Sequence, residues 1–350
     1  MPTHRERVRC LERLDRFSES DSDSDSLRFE TIADLQRVIG FDRWCWPLSD
    51  PETLLPNSGL ALHDYGPGVP RSLELEYSGG DFAAKDVIAR RKDGAASLGL
   101  ETGGDLARSA RWDEVMRPVG IGDVAIAACR DGLGCWGWIE AYRDQGDRPF
   151  EEGDVELLGK VASSLGSALR RRAMGPRESV TLQPDPPGIV VLDSDLRAVS
   201  WTDGARNWID ALPSAKLFAS WGMLPSVVYP AAALARAKSG LASALVQAMD
   251  GRWVMIEAAA LEGDRVGEIA VSLRSALPTE TFKLLCRVYA LSDREREVVA
   301  LLVAGLDTRA VAKRLFITPY TVQDHLKSVF EKVGIHSRRE LLATLGSSAA

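Results

Sequence analysis

Tyr320, Gln323, Asp324, Lys327 and Glu331 recur at a spacing that gathers them on one arc, about 100° wide, of a helix beginning at Pro319. Tyr, Gln, Asp and Lys can all meet base edges or phosphates. Val322, Leu326, Val329, Phe330 and Val333 fall on a second arc of similar width, which must be buried. Asp324 has two readings. A carboxylate repels phosphates, so it either accepts from a cytosine amine or pairs with Lys327 along the helix. His325 lies between the arcs and is expected to pack beside the buried face. The rest of the chain offers little chemistry. Its four histidines (His4, His63, His325, His336) are scattered, and no Ser/His/Asp or Cys/His constellation stands out. No Gly-rich run ending in Lys-Ser/Thr is present, which argues against an ATP-binding loop.

The flanking residues read as the frame for that helix. Thr318 is an N-cap, able to accept an otherwise unpaired amide, and Pro319 sits where a missing N–H costs nothing. Upstream, Ser292-Asp293-Arg294-Glu295 is a capping box before the run Val298, Val299, Leu301, Leu302, which stops at Gly305. Asp307 can cap a second helix that packs through Val311 and Leu315. Only Phe316 and Ile317 then separate it from Thr318, so the two helices must cross steeply. Gly334 closes the third helix. Ser337-Arg338-Arg339-Glu340 is a second capping box, opening a fourth helix with Leu341, Leu342 and Leu345. The alternative is a plain helical bundle with a solvated polar face.

This segment resembles the C-terminal DNA-binding domain of the LuxR/NarL family of bacterial regulators. The resemblance rests on residues 291–298 (Leu-Ser-Asp-Arg-Glu-Arg-Glu-Val), Gly305, Ala312-Lys313-Arg314-Leu315, Ile317, residues 321–327 (Thr-Val-Gln-Asp-His-Leu-Lys) and Lys332-Val333-Gly334. Glu295 and Gly305 stand where the family has its characteristic Glu and Gly, and Val299 replaces the usual Leu. The resemblance implies base contacts from Gln323, Asp324 and Lys327. It implies phosphate contacts from Thr318, Thr321 and Lys332, with Tyr320 on the same DNA-facing surface. It also implies dimerisation through Leu341, Leu342 and Leu345.

The net charge of −7 looks wrong for a DNA binder, but it is unevenly spread. Residues 287–350 hold ten Lys and Arg against seven Asp and Glu, a net +3, and the remainder carries −10. A weakly basic tail on an acidic body suits a regulator whose body should not touch DNA. So small a positive charge makes a dimer the expected binding species. The five cysteines (Cys10, Cys45, Cys129, Cys135, Cys286) are scattered, with no metal-ligand spacing, and are expected to be reduced thiols. Cys135 or Cys45 as a redox sensor is the alternative. The charged N-terminus is unlike a secretory signal, and no apolar run approaches the roughly 20 residues of a membrane span.

Residues 4–16 are expected to be a helix and Ser18–Ser26 a solvated Ser/Asp loop. A helix over 27–39 leads to a strand from Phe41 that Pro47 stops. Polar, Gly-rich connections follow to about residue 120, with helical pieces near 81–91 and 106–112. Strands 121–129 and 134–142 form a hairpin, and a long helix spans 151–172 on a stripe of Val155, Leu158, Val161, Ala162, Leu165, Ala168 and Leu169. This order, with the Phe-Asp-X-Trp strand and the Trp-Gly-Trp strand, resembles the GAF portion of actinobacterial GAF–LuxR regulators. Trp44 and Trp46 share one strand face, as do Trp136 and Trp138. Were the two strands neighbours, the four indoles could line an aromatic ligand pocket; core packing is the alternative.

After a Pro-rich linker, strands at 188–192 and 196–201, helices at 203–212 and 231–239, and strand-like segments 241–249, 252–261 and 266–274 follow in order. Asp250-Gly251 is a strong hairpin signal between the first two of those segments. This order, opening on Gly-Ile-Val-Val-Leu-Asp-X-Asp-Leu-Arg-X-Val, resembles a PAS-like domain. The expected organisation is therefore an N-terminal helix and acidic loop (1–26), a GAF-like domain (27–172), a linker (173–187), a PAS-like domain (188–275), a linker helix (276–290) and a LuxR-type helix-turn-helix (291–350). The fold class is multidomain, with an α+β sensor body before an all-α DNA-binding domain. The expected function is a cytoplasmic, non-enzymatic transcription regulator that acts as a homodimer with helix 319–333 in the major groove. Expected partners are double-stranded DNA, a second copy of the chain, RNA polymerase and a small-molecule ligand, with no membrane, no metal and no evident cofactor. The alternative is a ligand-binding or protein-interaction module whose DNA-binding domain is vestigial or controlled by a partner.

Overall fold

The computed structural model describes residues 4–19, 22–61, 66–173, 186–238, 240–263 and 266–344. The chain divides into two compact units, Met1–Ser275 and Ala276–Ala350. The first contains two five-stranded antiparallel sheets with their helices, and the second is helical.

The first sheet is built from α1 (His4–Glu19), α2 (Ser24–Ile39), β1 (Arg43–Ser49), β2 (Pro56–Ala61), α3 (Val69–Tyr77), α4 (Lys85–Ile88), β3 (Ala95–Ser97), α5 (Leu98–Glu101), β4 (Ile121–Asp131), β5 (Gly134–Asp144) and α6 (Glu152–Arg172), with strand order β2-β1-β5-β4-β3. The long exit helix and the β4–β5 hairpin form where the periodicity places them. The Ser/Asp stretch differs from expectation. Residues 18–19 still belong to α1, and Asp23 caps α2, accepting the amides of Asp25 and Ser26 at 2.9 and 2.8 Å. A local Asp–amide cap is enough to start that helix three residues before its first apolar side chain. Residues 20 and 21 lie outside the described set.

Pro47 does not stop β1. The strand runs on to Ser49, and Pro47 stands opposite Gly59 of β2. The ladder to β5 breaks off after Cys45–Glu140 and resumes at Leu48–Gly137, so the proline's missing N–H falls at a gap in the pairing. Gly137 makes the close approach possible, since a Cβ there would lie 2.9 Å from the Pro47 carbonyl oxygen.

On α6, Val155 is only half-buried, whereas Leu157 joins Leu158, Val161, Ala162, Leu165, Ala168 and Leu169 in the buried set. Two glycines let the helix settle on the sheet. A Cβ on Gly159 would lie 2.8 Å from the Asp93 carbonyl oxygen, and one on Gly166 would lie 2.2 Å from that of Arg130. The terminal arginines do more than complement the helix dipole. Arg171 and Arg172 donate to the carbonyls of Ser18 and Ser22 at 3.1 and 2.7 Å, holding the α1–α2 connection.

The second sheet has β6 (Gly188–Leu192), β7 (Ala198–Trp201), α7 (Asp203–Ala211), α8 (Ala215–Ser220), α9 (Tyr229–Lys238), β8 (Ala242–Gln247), β9 (Trp253–Ala260) and β10 (Ile269–Ser275), in order β7-β6-β10-β9-β8. The Asp250-Gly251 hairpin forms, with Gly251 at φ +83°. Its core gathers Trp208, Tyr229, Val190, Ile256 and Val271 under α7 and α9. Most of the expected 173–187 linker, residues 174–185, lies outside the described residues.

The helical unit comprises α10 (Pro278–Val288), α11 (Asp293–Val303), α12 (Thr308–Leu315), α13 (Pro319–Val333) and α14 (Arg338–Thr344). No helix among the described residues is long and apolar enough to cross a membrane.

The contact of α6 with β4 generates a direct test. Gly166→Ala should destabilise the body by about 1–3 kcal/mol through overpacking. Gly132→Ala, where an added Cβ meets nothing within 4 Å, should be close to neutral. All nine tryptophans precede residue 276, so intrinsic fluorescence in a denaturant titration reads this unit. Equal midpoints for the two variants would refute the close-packing account.

Candidate nucleic-acid interface

The caps read in the sequence are formed. Ser292 accepts the Glu295 amide at 3.3 Å while the Glu295 carboxylate takes the Ser292 amide at 2.7 Å. Asp307 accepts from the Ala310 amide at 2.8 Å, and Thr318 accepts from the Thr321 amide at 3.1 Å. Gly305 and Gly334 both adopt positive φ, ending α11 and α13. Between α12 and α13 the chain reverses through Phe316, a non-glycine residue at φ 56° and ψ 41°. Arg294 reaches from α11 to the Leu315 carbonyl at 2.7 Å, satisfying the end of α12 beside this strained residue.

On α13, Val322, Leu326 and Val329 are buried and Phe330 and Val333 half-buried. Tyr320, Gln323, Asp324, Lys327 and Glu331 are exposed, and His325 is half-buried between the two faces. The structure thus brings the five candidate polar side chains to one open surface. Gln323 donates to the Thr308 hydroxyl at 3.2 Å, which links this surface to the start of α12. No ion pair joins Asp324 to Lys327 among the described residues, so the intrahelical pairing considered for Asp324 is not formed. Phe316 adds an aromatic ring, 95% exposed, at the turn. Thr318 is exposed and Thr321 half-buried, with their hydroxyls 2.9 Å apart at the helix N-terminus. That end carries unpaired amides and partial positive charge, which suits a phosphate.

Two of the named residues are already engaged within the unit. Lys332 is exposed and ion-paired within the unit. Its ammonium lies 2.6 Å from Glu295 Oε2 and 3.3 Å from the Ala290 carbonyl oxygen. Leu341 is 2% exposed, so it belongs to the core of its own unit and offers no surface to a second copy. Leu342 lies in α14, but only its backbone is described, and Leu345 lies outside the described residues.

Glu295 is what Lys332 serves. It also accepts from Ser328 Oγ at 2.7 Å, so one carboxylate caps α11 and grips α13 twice. Burial alone would raise its pKa. The hydrogen bonds from Lys332, Ser328 and the Ser292 amide outweigh that and hold it at about 2.

In the body, the four indoles do not make one wall. β1 and β5 are neighbours, but Trp44 stands opposite Ala141 and Cys45 opposite Glu140. Alternation then puts Trp44 and Trp46 on one face of the sheet and Trp138 on the other. Trp44 packs edge-on against Phe29 of α2 at 5.7 Å, and Trp136 donates to Asp131, which also holds Arg170 of α6. All four are buried, as core residues are.

The composition and pattern reasoning missed a buried ionic cluster on the Trp138 face, formed by Glu76, Lys85, Arg111 and Glu140. Its clearest sequence signal is Glu140, a charge within the apolar stretch 135–142 of β5. Burial pushes the Cys135 thiol up to about 11 and that of Cys45 well above its usual value, which disfavours the thiolate a redox sensor needs. No group of three or more His, Cys, Asp or Glu able to hold a metal ion occurs among the described residues.

The second unit is therefore a helix-turn-helix domain of the DNA-binding type. The family described as "Bacterial regulatory proteins, luxR family" matches residues 289–345. The spore germination protein GerE of Bacillus subtilis is 38% identical over 55 residues, covering 16% of this chain and 74% of GerE. The chain belongs to the luxR family of bacterial regulatory proteins. A putative HTH-type transcriptional regulator of Mycobacterium tuberculosis is 47% identical over 53 residues, but these are 15% of this chain and only 6% of that protein. The probable transcriptional regulatory protein NarL of the same species is 29% identical over 140 residues, 38% of this chain and 59% of that one. The two mycobacterial relatives are named as transcriptional regulators, a non-enzymatic class. The crystal structure of Escherichia coli SdiA overlaps 97% of each chain, at 12% identity and a TM-score of only 0.34.

The Glu295 network predicts a pH dependence. A carboxyl lowered from 4.5 to about 2 stabilises fully above its ordinary range, and the stabilisation is lost as pH falls towards 2. Its size is at most roughly 3 kcal/mol, reduced by solvent screening at the exposed Lys332. Glu295→Gln should speed amide hydrogen exchange across residues 291–344 at pH 7, and the gap from the unsubstituted chain should shrink between pH 4.5 and pH 2. A gap that does not change with pH would contradict the assignment.

Proposed function

We propose that the chain is a cytoplasmic, sequence-specific DNA-binding regulator. It acts as a homodimer, with α13 in the major groove of double-stranded DNA, and it touches RNA polymerase when bound. The observation that carries this reading is the open face of α13. Tyr320, Gln323, Asp324 and Lys327 stand exposed on a helix whose opposite side is buried and whose N-terminus is capped by Thr318. Gln323 suits a bidentate contact to adenine, Asp324 a cytosine amine, and Lys327 a guanine or a phosphate. Thr318 and Thr321 suit the phosphate at the helix N-terminus.

In this reading the two sheets of the first unit are a GAF-like and a PAS-like module that sense a signal or set the pairing. The strand order β2-β1-β5-β4-β3 with α6 across it, and the order β7-β6-β10-β9-β8 beneath α7 and α9, support two successive sensor-type folds. With Leu341 buried, a dimer contact must come from other residues of the helical unit or from the body. The reading calls for no cofactor.

Gel shifts of the full chain on operator DNA, selected by genome-wide mapping of bound sites, test the helix assignment. Gln323→Ala and Lys327→Ala should each weaken binding by about five- to a hundredfold, as loss of a base contact worth about 1–3 kcal/mol requires. Their circular dichroism should match that of the unsubstituted chain. Binding should fall steeply with salt. Unchanged affinity in both variants would remove α13 from the interface. A folded chain without affinity for duplex DNA would favour a protein-interaction role.

A further inference from the structure

We infer that two copies of this chain pair through an open edge of the second sheet, β7 of one against β7 of the other, antiparallel about Ser200. This places the contact of the proposed homodimer in the body, and it rests on that reading. The sheet has two edges. β8 packs against β2 of the first sheet, whereas β7 is the last strand on its side. Ala198 of β7 is half-buried, and Val199, Ser200 and Trp201 are exposed, Val199 and Trp201 each at 47%. Open edges are commonly guarded by a lysine or a proline, and β7 (Ala-Val-Ser-Trp) has neither. Its one guard is a shift of register to β6, which leaves Val199 without a partner there.

The backbone groups that pairing needs are turned outward. Thr202 donates its amide to the Ile189 carbonyl at 2.9 Å, and Ser200 stands opposite Val191. Bonded pairs alternate along an antiparallel ladder, so Thr202 and Ser200 address β6 while the Trp201 amide and carbonyl point away from it. Pairing about Ser200 sets Trp201 against Val199 of the second copy, and Val199 against its Trp201. Each of these pairs can exchange two N–H···O bonds and joins a β-branched side chain to an aromatic ring, a favourable cross-strand combination. The same register sets Arg197 against Asp203 of the second copy, and the reverse. Both residues are exposed, and the ion pair of Arg197 within its own chain is a long one, 3.7 Å to an exposed Asp195. A two-fold axis repeats every contact, so the edge is complementary to itself. That self-complementarity selects a second copy over an unrelated strand. The contact also brings equal numbers of opposite charges together, which suits bodies that each carry −10 over residues 1–286.

The test is sedimentation of the full chain. A contact this short belongs with weak, transient interfaces, so the monomer–dimer equilibrium is followed to the highest soluble concentration. Arg197→Asp alone and Asp203→Arg alone should each weaken the dimer about tenfold, because like charges then stand opposite at both symmetry-related positions. Mixing the two variants should restore it, since every pair across the mixed dimer again joins an arginine to an aspartate. Mere damage to the fold would not be rescued by mixing. Val199→Lys, which puts a charge on the edge, should abolish pairing with unchanged circular dichroism. A chain that stays monomeric at every concentration has this edge covered from within, and that overturns the inference. A dimer indifferent to Val199→Lys, or charge variants that do not recover on mixing, would overturn it as well. Gel shifts on the same preparations keep the two readings apart. Duplex binding by a chain whose dimer ignores these substitutions discards the β7 contact alone. A dimer that breaks and recovers as expected, without affinity for duplex DNA, discards the regulator reading alone.

Discussion

The helical unit depends on what one carboxylate does. Glu295 closes the N-terminus of α11 through the Ser292 amide and holds α13 through Ser328 and Lys332. A helix can roll about its own axis while keeping an apolar contact, because apolar contacts are not directional. Hydrogen bonds to a fixed point are directional. The two from α13 come from Ser328 and Lys332, four residues apart on one side, so they fix the rotation that turns Gln323 and Lys327 outward. The buried face makes α13 stay, and Glu295 determines which side it shows. Lys332 matters to the site for this reason, although its ammonium is already engaged.

The body uses buried charge in a second way. Arg143 of β5 donates to Asp154 at 3.1 Å and to the Ile39, Gly40 and Pro149 carbonyls, so it joins α2, β5 and the start of α6 with each partner satisfied. The Glu76–Lys85–Glu140–Arg111 cluster joins α3, α4 and β5 with Arg111 in the same manner, two carboxylates meeting two cations. A satisfied buried network specifies structure, because each buried charge left without its partner would be costly.

The legible parts of the chain were those in which local chemistry and long-range packing agree. The caps at Ser292, Asp307 and Thr318 sit beside the periodic runs they start, so all five helical-unit features from Ser292 to Gly334 could be placed from spacing alone. The stripe of α6 and the Asp250-Gly251 hairpin are similar cases. β2 (Pro-Asn-Ser-Gly-Leu-Ala) has no alternation, and α3 begins Val-Pro and carries mixed charge, so neither announces itself locally. They exist because β1 offers an edge and the second sheet's α9 offers a surface. The tryptophans illustrate another limit. Alternation correctly paired Trp44 with Trp46, but only the register, Cys45 opposite Glu140, shows that Trp138 lies across the sheet. The ionic cluster was invisible for the same reason, since its members are separated by up to 64 positions and only folding brings them together.

Charge and burial together constrain how the protein could pair on DNA. The helical unit carries a net charge of only +3 over residues 287–350, and Lys332 spends its charge on Glu295. Few cations are left to displace counterions, so one unit has little of the nonspecific attraction that dominates protein–DNA affinity. A second unit on the same duplex would double those contacts and add the effective concentration of a tethered partner. The burial of Leu341 removes one residue of α14 from the surface that could join the two. The rest of the chain carries −10, and two such bodies repel each other at long range unless a specific apolar contact overcomes it. Control over pairing therefore belongs where the body can change its contacts or its charge.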